Sequence, residues 1–456
     1  MTPASPEPLA SPAPPEAARA PRRLIGPFDA TMLVAGSMIG SGIFIVSAES
    51  ARQVGSPALL LGVWALAGAL TVVASLACAE LAVLFPQAGG PYVFLGRAYG
   101  PLAGFLYAWG LVTVVQTGTI AAVAVAFARF LGVILPGLDG PREKVVAIAL
   151  IALLSAANAR GLRTGTRIQN VLTVVKVAAL AGLTFAGLLL VPAVAPVAAR
   201  PGLLPPDGFL LALAVAVAMS GPLFSQSAWT NVTFPGAEVR DPARTFPLAL
   251  ATGCLLVAAL YVLANVSYLR VLGLGGIATA ASDRVGTAAA AALFPGWGER
   301  AMAAAILVST GGCVNGLVLS GARVLWALSR DGLFFRPFGA LNGSEVPGRA
   351  LGLQAFLASL LVLSGTYSEL LRYVVAAELV LSVLIVMAVP VLRRREPDLP
   401  RPYRTWGYPV TPYLYAIPAT VLCGLLTMAR PQNAWPGLLL FAAGVPVYLL
   451  WKGRTA

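Results

Sequence analysis

Long apolar segments recur along the chain, separated by linkers rich in Arg, Pro and Gly. About 20 apolar residues allow an α-helix to cross the roughly 30 Å hydrocarbon core of a bilayer. The pattern therefore predicts an all-α polytopic membrane protein with twelve transmembrane helices. The approximate bounds of the segments are 28–53, 57–84, 101–131, 144–158, 168–192, 208–234, 247–270, 300–328, 350–366, 370–392, 408–429 and 434–451.

Composition and charge agree with a membrane protein. Hydrophobic residues make up 58% of the chain and charged residues only 11%, which excludes an ordinary soluble domain. The net charge of +13 is not read as a nucleic-acid surface, because its placement follows the positive-inside rule. Twice as many Lys and Arg residues fall in the segments on the side of the N-terminus as on the other side. Both termini are therefore predicted in the cytoplasm, and the bilayer, not nucleic acid, is the expected partner.

The chain divides into three parts. Residues 1–24 are rich in Pro, Ala and Ser without the apolar stretch of a signal peptide, and we expect a disordered cytoplasmic tail. Residues 25–400 hold helices 1–10, the predicted transporter core. Residues 401–456 hold helices 11 and 12.

The first segment combines membrane length with residues that weaken a helix near its middle. These residues are Gly36, Ser37, Gly40, Ser41 and Gly42. Unpaired backbone groups at membrane depth are tolerated only where protein packs against them or they line a wet cavity. We therefore interpret Ile39–Ile43 as half of a binding site. The alternative is that these glycines only allow close helix packing.

The sixth segment is interrupted as well. Its apolar start, Leu210–Met219, runs into Ser220–Asn231, where small and polar residues crowd membrane depth. Segments 1 and 6 each open a set of five, and an odd number of helices gives the two sets opposite orientations in the membrane. A matched pair of interrupted segments is the sequence pattern of an inverted-repeat transporter. We predict a five-plus-five repeat with helices 11 and 12 outside it.

The polarity of the two interruptions predicts a ligand. A half-helix that begins near Gly40 presents N–H groups and a positive dipole end, which suits a carboxylate. A half-helix that ends near Phe224 presents carbonyls and a negative dipole end, which suits an ammonium group. Together they fit an α-amino acid. Neither interruption contains Asp or Glu, which favours neutral side chains over polyamines.

Two kinds of ionisable residue lie within the apolar segments. Lys176 must face the bundle, where it would carry a proton or a fixed charge beside helix 1, or else reach water at the cytoplasmic end. Glu378 is a candidate cavity residue, whereas Glu80 is expected to pair with an Arg of an inner loop.

The chain has no His, which disfavours zinc and Ser-His chemistry. We predict no catalytic residue, metal or cofactor. A channel is the alternative class, and it would need a continuous polar path.

Several motifs resemble the amino acid/polyamine/organocation transporter family, most closely its L-type amino acid transporters and their bacterial relatives. The resemblance covers almost the whole chain after the tail. The motifs are Gly36–Phe44, Glu80–Ala82, Phe85–Tyr92, Arg97–Leu106, Phe224–Trp229, Glu238–Pro242, Gly321–Val324, Ser329–Leu333 and Arg401–Pro409.

The resemblance implies the leucine-transporter fold, alternating access and roles for individual residues. The backbone of the first interruption would hold the substrate carboxylate and amine, and carbonyls near Phe224 and Ser227 would complete the amine site. The Phe224 ring would be the outer gate, and Lys176 would stand where other members bind sodium. Ser309 and Thr310 keep sodium use open. The full predicted substrate site comprises Met38, Ile39, Gly40, Ser41, Gly42, Ile43, Phe224, Ser227, Ala228 and Trp229.

The chain departs from the family pattern in two places. Ser227 and Ala228 stand where relatives have two glycines, which predicts a smaller pocket that disfavours large aromatic substrates. The four cysteines, Cys78, Cys254, Cys313 and Cys423, all fall in apolar segments. The outer loop after helix 3 has none, so no disulfide-linked glycoprotein subunit is expected.

We expect a transporter of neutral L-amino acids in the cytoplasmic membrane, acting as exchanger or proton symporter. A permease for another amine or a polyamine is the alternative.

Overall fold

The helices of the protein, in a computed structural model, follow the apolar segments of its sequence. The structure describes residues 22–138, 140–192, 208–364, 367–429, 431, 439 and 441–455. The α-helices in these ranges are α1 Pro27–Met38, α2 Gly42–Ile45, α3 Ser47–Val54, α4 Pro57–Leu84, α5 Pro91–Tyr99, α6 Pro101–Gly110, α7 Gln116–Ile134, α8 Pro141–Ala159, α9 Leu162–Leu190, α10 Gly208–Ser225, α11 Pro242–Ala278, α12 Val285–Leu293, α13 Gly298–Arg330, α14 Gly348–Ser364, α15 Tyr367–Arg395, α16 Val410–Ala429 and α17 Gly444–Thr455.

Within the described ranges, nine helical segments are long and apolar enough to cross a bilayer. One of them joins α1 to α2, and another joins α6 to α7 through a π-helical turn, Leu111–Val115. No β-strand is named in the part of the chain that the structure describes, which has two isolated bridges only. The protein is therefore a multi-pass, nearly all-helical membrane protein.

Three parts of the sequence prediction fall on residues that the structure leaves out. Residues 365 and 366 of the predicted ninth helix lie outside the described ranges. Residues 1–21 of the predicted tail lie outside the described ranges. The same holds for residues 434–438 and 440 of the predicted twelfth helix.

The fifth predicted helix, 168–192, begins six residues earlier, at Leu162. Gly161, with φ of 137°, precedes it in a backbone conformation that glycine tolerates. Arg163 and Arg167, which fall between the predicted helices 144–158 and 168–192, therefore lie in its first turns. This earlier start places Lys176 near the middle of α9.

The buried apolar side chains form two clusters. The larger cluster joins α1, α4, α10 and α11, and it extends to α15 and α16. The second cluster joins α7, α8, α13 and α14. Many apolar side chains on the remaining faces are exposed, for example Leu189 at 80%. Such faces suit lipid contact, since the bilayer offers an apolar solvent outside the bundle.

The segment that precedes α1 is hydrogen-bonded to the chain that follows the second interruption. The N–H groups of Leu24 and Ile25 both donate to the Glu238 carbonyl, at 2.8 and 2.9 Å. The Glu238 carboxylate pairs with Arg323 of α13 at 3.1 Å, and both side chains are almost fully buried. The N-terminal segment is thus tied to the chain that follows the second interruption.

A second buried carboxylate anchors the end of α4. Glu80 accepts two hydrogen bonds from Arg393 of α15, at 2.9 and 2.7 Å. It also accepts hydrogen bonds from the Thr405 N–H and hydroxyl. The expected pairing of Glu80 with an Arg is therefore present, and Arg393 lies at the end of a membrane helix.

Candidate binding site

The first interruption separates α1 from α2. Residues 39–41 are not helical, so α1 ends at Met38 and α2 begins at Gly42. Gly36 lies in the last turns of α1, where an added Cβ would stand 2.0 Å from Gln169 Nε2 and 2.2 Å from Thr173 Oγ1 of α9. Gly36 therefore serves close helix packing, which was the alternative reading of this glycine. The interruption itself falls after it.

Lys176 of α9 reaches directly into this interruption. Its Nζ donates to the carbonyl oxygens of Gly36 at 2.5 Å and Ile39 at 2.7 Å, and to that of Ser309 at 3.3 Å. The side chain is 1% exposed, so its ammonium group does not extend to water at the end of the helix. Lys176 instead neutralises the carbonyl end of α1, where the helix dipole is negative.

Other side chains satisfy the remaining carbonyls of the interruption. The Tyr261 hydroxyl donates to the Met38 carbonyl at 3.2 Å, and the Cys313 thiol contacts the Ser37 carbonyl at 3.0 Å. The Ser309 hydroxyl lies 3.2 Å from the Gly40 carbonyl. The carbonyls of α1 are thus held by α9, α11 and α13. The first N–H groups of a helix have no partner within it, so the start of α2 keeps donors that suit an anion.

The second interruption follows α10. Pro222 lies in the last turn of this helix, which ends at Ser225. Ala228 takes the left-handed conformation, with φ of 68°, and a 3₁₀ helix, Trp229–Thr233, follows. The Phe224 carbonyl accepts the Ser227 N–H at 3.1 Å and keeps a second lone pair for a ligand. This end of α10 therefore offers the carbonyls that an ammonium group requires.

The two interruptions touch each other. A Cβ on Gly42 would stand 2.1 Å from Ser225 Oγ and 2.7 Å from Ser225 Cβ. Only a residue without a side chain fits there without displacing α10. The N-terminal end of α2 and the C-terminal end of α10 are therefore neighbours, with opposite dipole ends side by side.

Two small cavities lie beside the second interruption, with volumes of about 20 and 30 Å³. The larger one is lined by Phe224, Ser227 and Trp229, among others, and the smaller one by Ser227 and Ala228. Both volumes suit one or two waters, so binding of a larger ligand requires the flanking helices to separate. The residues predicted in the first interruption, Met38–Ile43, do not line these two cavities and lie buried beside them.

Ser227, Glu378 and Ser382 line both cavities. Glu378 of α15 faces the Ser227 hydroxyl and the Ala228 N–H. The prediction that it lines a cavity is therefore confirmed by its position. It brings a carboxyl group to an interruption that has none in its own sequence.

Several cavity residues were not singled out from the sequence. Tyr107 of α6, Gln116 of α7 and Asn231 line the smaller cavity, and Tyr415 of α16 lines the larger. Gln116 directly follows the π-helical turn, and its amide donates to the Leu317 carbonyl at 2.7 Å. Such turns are frequent at functional sites, but no residue pattern in the sequence marked this one.

Two interrupted membrane helices that lie against each other, with a polar cavity beside one of them, are typical of one class of protein, the secondary transporters. Comparison with known proteins agrees, since residues 25–447 match the family model described as amino acid permease. The chain belongs to this family.

Characterised relatives cover nearly all of the chain. It is 28% identical over 443 residues to the serine/threonine exchanger SteT of Bacillus subtilis, which covers 95% of this chain and 98% of that protein. It is 29% identical to the human large neutral amino acids transporter small subunit 2, over 94% of this chain and 80% of that one. It is 27% identical to the mouse Asc-type amino acid transporter 1, over 95% and 82%. The protein is thus an amino acid transporter and not an enzyme.

Proposed function

We propose that this protein carries neutral L-amino acids across the cell membrane by alternating access, as an exchanger or a proton symporter. The observation that carries the proposal is the meeting of the two interruptions, where Gly42 lies against Ser225. The N-terminal end of α2 would bind the substrate carboxylate, and the carbonyls at the end of α10 would bind its ammonium group. Main-chain groups then recognise the parts that every amino acid shares.

Individual residues take defined roles in this proposal. The main chain of Ile39–Ile43 with Met38 would form the carboxylate side, and Ser227, Ala228 and Trp229 would border the amine side. Phe224, which is 7% exposed, would be the gate. It lines the larger cavity, a position from which its ring can cover a bound substrate.

Lys176 is proposed as the coupling residue. Its ammonium group bridges α1 to α13 through the carbonyls of Ile39 and Ser309, and it holds a positive charge where a cation would otherwise bind. In an exchanger this charge stays fixed. In a symporter Lys176 would lose this charge when it releases the transported proton, and the first interruption would then be held less tightly.

The proposed architecture has twelve transmembrane helices, with residues 25–400 as an inverted repeat of five plus five and residues 401–456 outside it. The support is the equivalent place of the interruptions in α1–α2 and α10. The separate apolar clusters of α1, α4, α10 and α11 and of α7, α8, α13 and α14 would be the two bodies that move past each other. The excess of basic residues in the predicted inner loops supports cytoplasmic termini.

Two further points follow from the relatives and the cysteines. The Bacillus subtilis relative is named as a serine/threonine exchanger, which supports small neutral substrates and exchange. All four cysteines lie in membrane helices, in α4, α11, α13 and α16. This supports a transporter that works without a disulfide-linked partner.

Uptake of radiolabelled amino acids into proteoliposomes tests the proposal. The panel should include small neutral, large aromatic, acidic and basic amino acids and a polyamine, with and without internal amino acid and with a proton or sodium gradient. Uptake of neutral amino acids only with internal substrate indicates exchange. Uptake driven by an inward proton gradient and lost in Lys176→Ala indicates proton symport. Uptake of the polyamine alone would contradict the proposal.

A further inference from the structure

Several polar side chains line the smaller cavity but take no part in the proposed main-chain binding site. The smaller cavity is lined by Glu378, Asn231, Tyr107, Gln116 and Ser382, together with the second interruption. These side chains come from α6, α7 and α15 and from the chain after α10. A polar wall is unusual at the centre of an apolar bundle, because each polar group there needs a partner.

Glu378 provides an acceptor in this wall. It lies beside the Ser227 hydroxyl and the Ala228 N–H, and it lines both cavities. No salt bridge to a basic side chain is present for Glu378 in the described part of the chain. Its carboxyl oxygens can accept more hydrogen bonds than these two donors supply, since a carboxylate has about four acceptor positions. An acceptor at the cavity surface is therefore available to a ligand.

Asn231 provides a donor. Its side chain is 1% exposed and lines the same cavity, yet its Nδ2 has no hydrogen-bond partner among the described residues. A buried amide N–H without a partner is costly, so such a group usually binds a water or a ligand. The cavity thus pairs an acceptor on α15 with a donor beside the second interruption.

We propose that Glu378 and Asn231 bind a hydroxyl or carboxamide group of the substrate side chain, Glu378 as acceptor and Asn231 as donor. A hydroxyl or carboxamide group matches this pair, because it donates one hydrogen bond and accepts another, whereas an alkyl group does neither. This inference rests on the proposed transport of neutral amino acids and narrows it to those with polar side chains. The main-chain ends of α2 and α10 then bind the common part of the substrate, and α15 selects its side chain.

The test compares threonine with valine, which differ only by a hydroxyl in place of a methyl group. Inhibition of radiolabelled threonine uptake by each amino acid is measured in proteoliposomes. For the unmodified protein we expect threonine to compete at least about tenfold better than valine, the usual size of one hydrogen bond to a charged group. Glu378→Met and Asn231→Leu should each reduce that preference severalfold. Glu378→Gln, which keeps an acceptor oxygen, should retain part of it.

Glu143→Met is the matched control. This residue lies in the first turn of α8, outside the cavity, where it pairs with Arg129 of α7. The same substitution there should leave the preference unchanged. Size-exclusion profiles establish that each variant is folded. If Glu378→Met does not fold, Asn231→Leu and Glu378→Gln carry the comparison.

Three results would overturn the inference. The preference for threonine could persist in all folded variants. Alternatively, competition by threonine and by valine could weaken equally, which would mean that these residues bind the part that all amino acids share. A basic amino acid could compete better than threonine and lose this advantage in Glu378→Gln, which would make the carboxylate a countercharge. Failure of the unmodified protein to take up any amino acid would instead contradict the proposed function itself.

Discussion

The Nζ of Lys176 lies 2.7 Å from the carbonyl oxygen of Ile39, the residue at which α1 gives way to the first interruption. The same ammonium donates to the Gly36 carbonyl one turn earlier. A membrane helix that stops in the middle of the bundle leaves carbonyls without intrahelical donors. Lys176 provides both the donors and the opposite charge, so the interruption depends on a residue of α9.

Replacing Lys176 by Met should lower both stability and substrate binding. The substitution keeps most of the length of the side chain and removes its N–H donors, and a buried acceptor left without a donor costs about 1–3 kcal/mol. Thermal unfolding in detergent and binding of a radiolabelled amino acid measure the two effects. Lys144→Met is the control, because Lys144 is only half-buried and donates to a single carbonyl, that of Leu363. Equal unfolding temperatures and equal substrate affinities in the two variants would contradict this role of Lys176.

Gly36→Ala should destabilise the protein by about 1–3 kcal/mol through overpacking. Its Cβ would collide with the buried side chains of Gln169 and Thr173. Gly182→Ala, in α9, meets no atom within 4 Å and should gain about 0.5–1 kcal/mol, because alanine favours a helix over glycine. Chemical unfolding of both variants measures the difference. Similar changes in the free energy of unfolding, with the same sign, would mean that α1 and α9 are not packed through Gly36.

Ala228→Gly should stabilise the protein by about 1 kcal/mol. Ala228 has φ of 68°, a left-handed conformation that costs a residue with a Cβ about 1–2 kcal/mol and costs glycine almost nothing. The same change at Ala212, inside α10, should instead destabilise the helix by about 0.5–1 kcal/mol. Comparison of thermal unfolding temperatures tests the opposite signs. A loss of stability in Ala228→Gly would argue against this backbone conformation.

Glu238→Gln should strongly destabilise the protein. The carboxylate pairs with Arg323, and the two side chains are 6% and 3% exposed. Leaving one partner of a buried pair unmatched costs about 3–5 kcal/mol. The more exposed pair of Arg129 and Glu143 provides the control, since Glu143→Gln should cost no more than about 1 kcal/mol. Unfolding free energies that agree between the two variants would exclude a structural role for the buried pair.

The sequence could predict features that local composition decides. The second predicted helix, 57–84, matches α4 residue for residue, because Pro57 begins it and the apolar run ends at Phe85 and Pro86. The interruption near Gly40 was also visible, since glycine and serine weaken a helix wherever they cluster. The start of α9 was missed, because Arg163 and Arg167 resemble a loop in composition although they lie in its first turns.

The cavity beside the second interruption could not be derived in the same way. Glu378 and Ser227 are distant in the sequence, and their approach depends on which faces of α10 and α15 meet. In a membrane protein the lipid-facing and protein-facing sides of a helix are both apolar, so periodicity does not identify the buried face. The donors to the carbonyls of the first interruption could not be derived either, because they come from distant helices. For example, the Tyr261 hydroxyl donates to the Met38 carbonyl from α11.

The two interruptions together form the proposed amino acid site, and substitutions at the contact of Gly42 with Ser225 test this most directly. Binding of a radiolabelled neutral amino acid is measured for Gly42→Ala, for the double variant Gly42→Ala with Ser225→Gly, and for the control Gly62→Ala in α4, where a Cβ meets open space. We predict that Gly42→Ala weakens binding at least about tenfold, a change of roughly 1.4 kcal/mol. The double variant should recover part of this loss, because it removes the Ser225 side chain but leaves the Cα of residue 225 at 3.1 Å from the new Cβ. The control should bind like the unmodified protein. Unchanged affinity in Gly42→Ala would contradict the account.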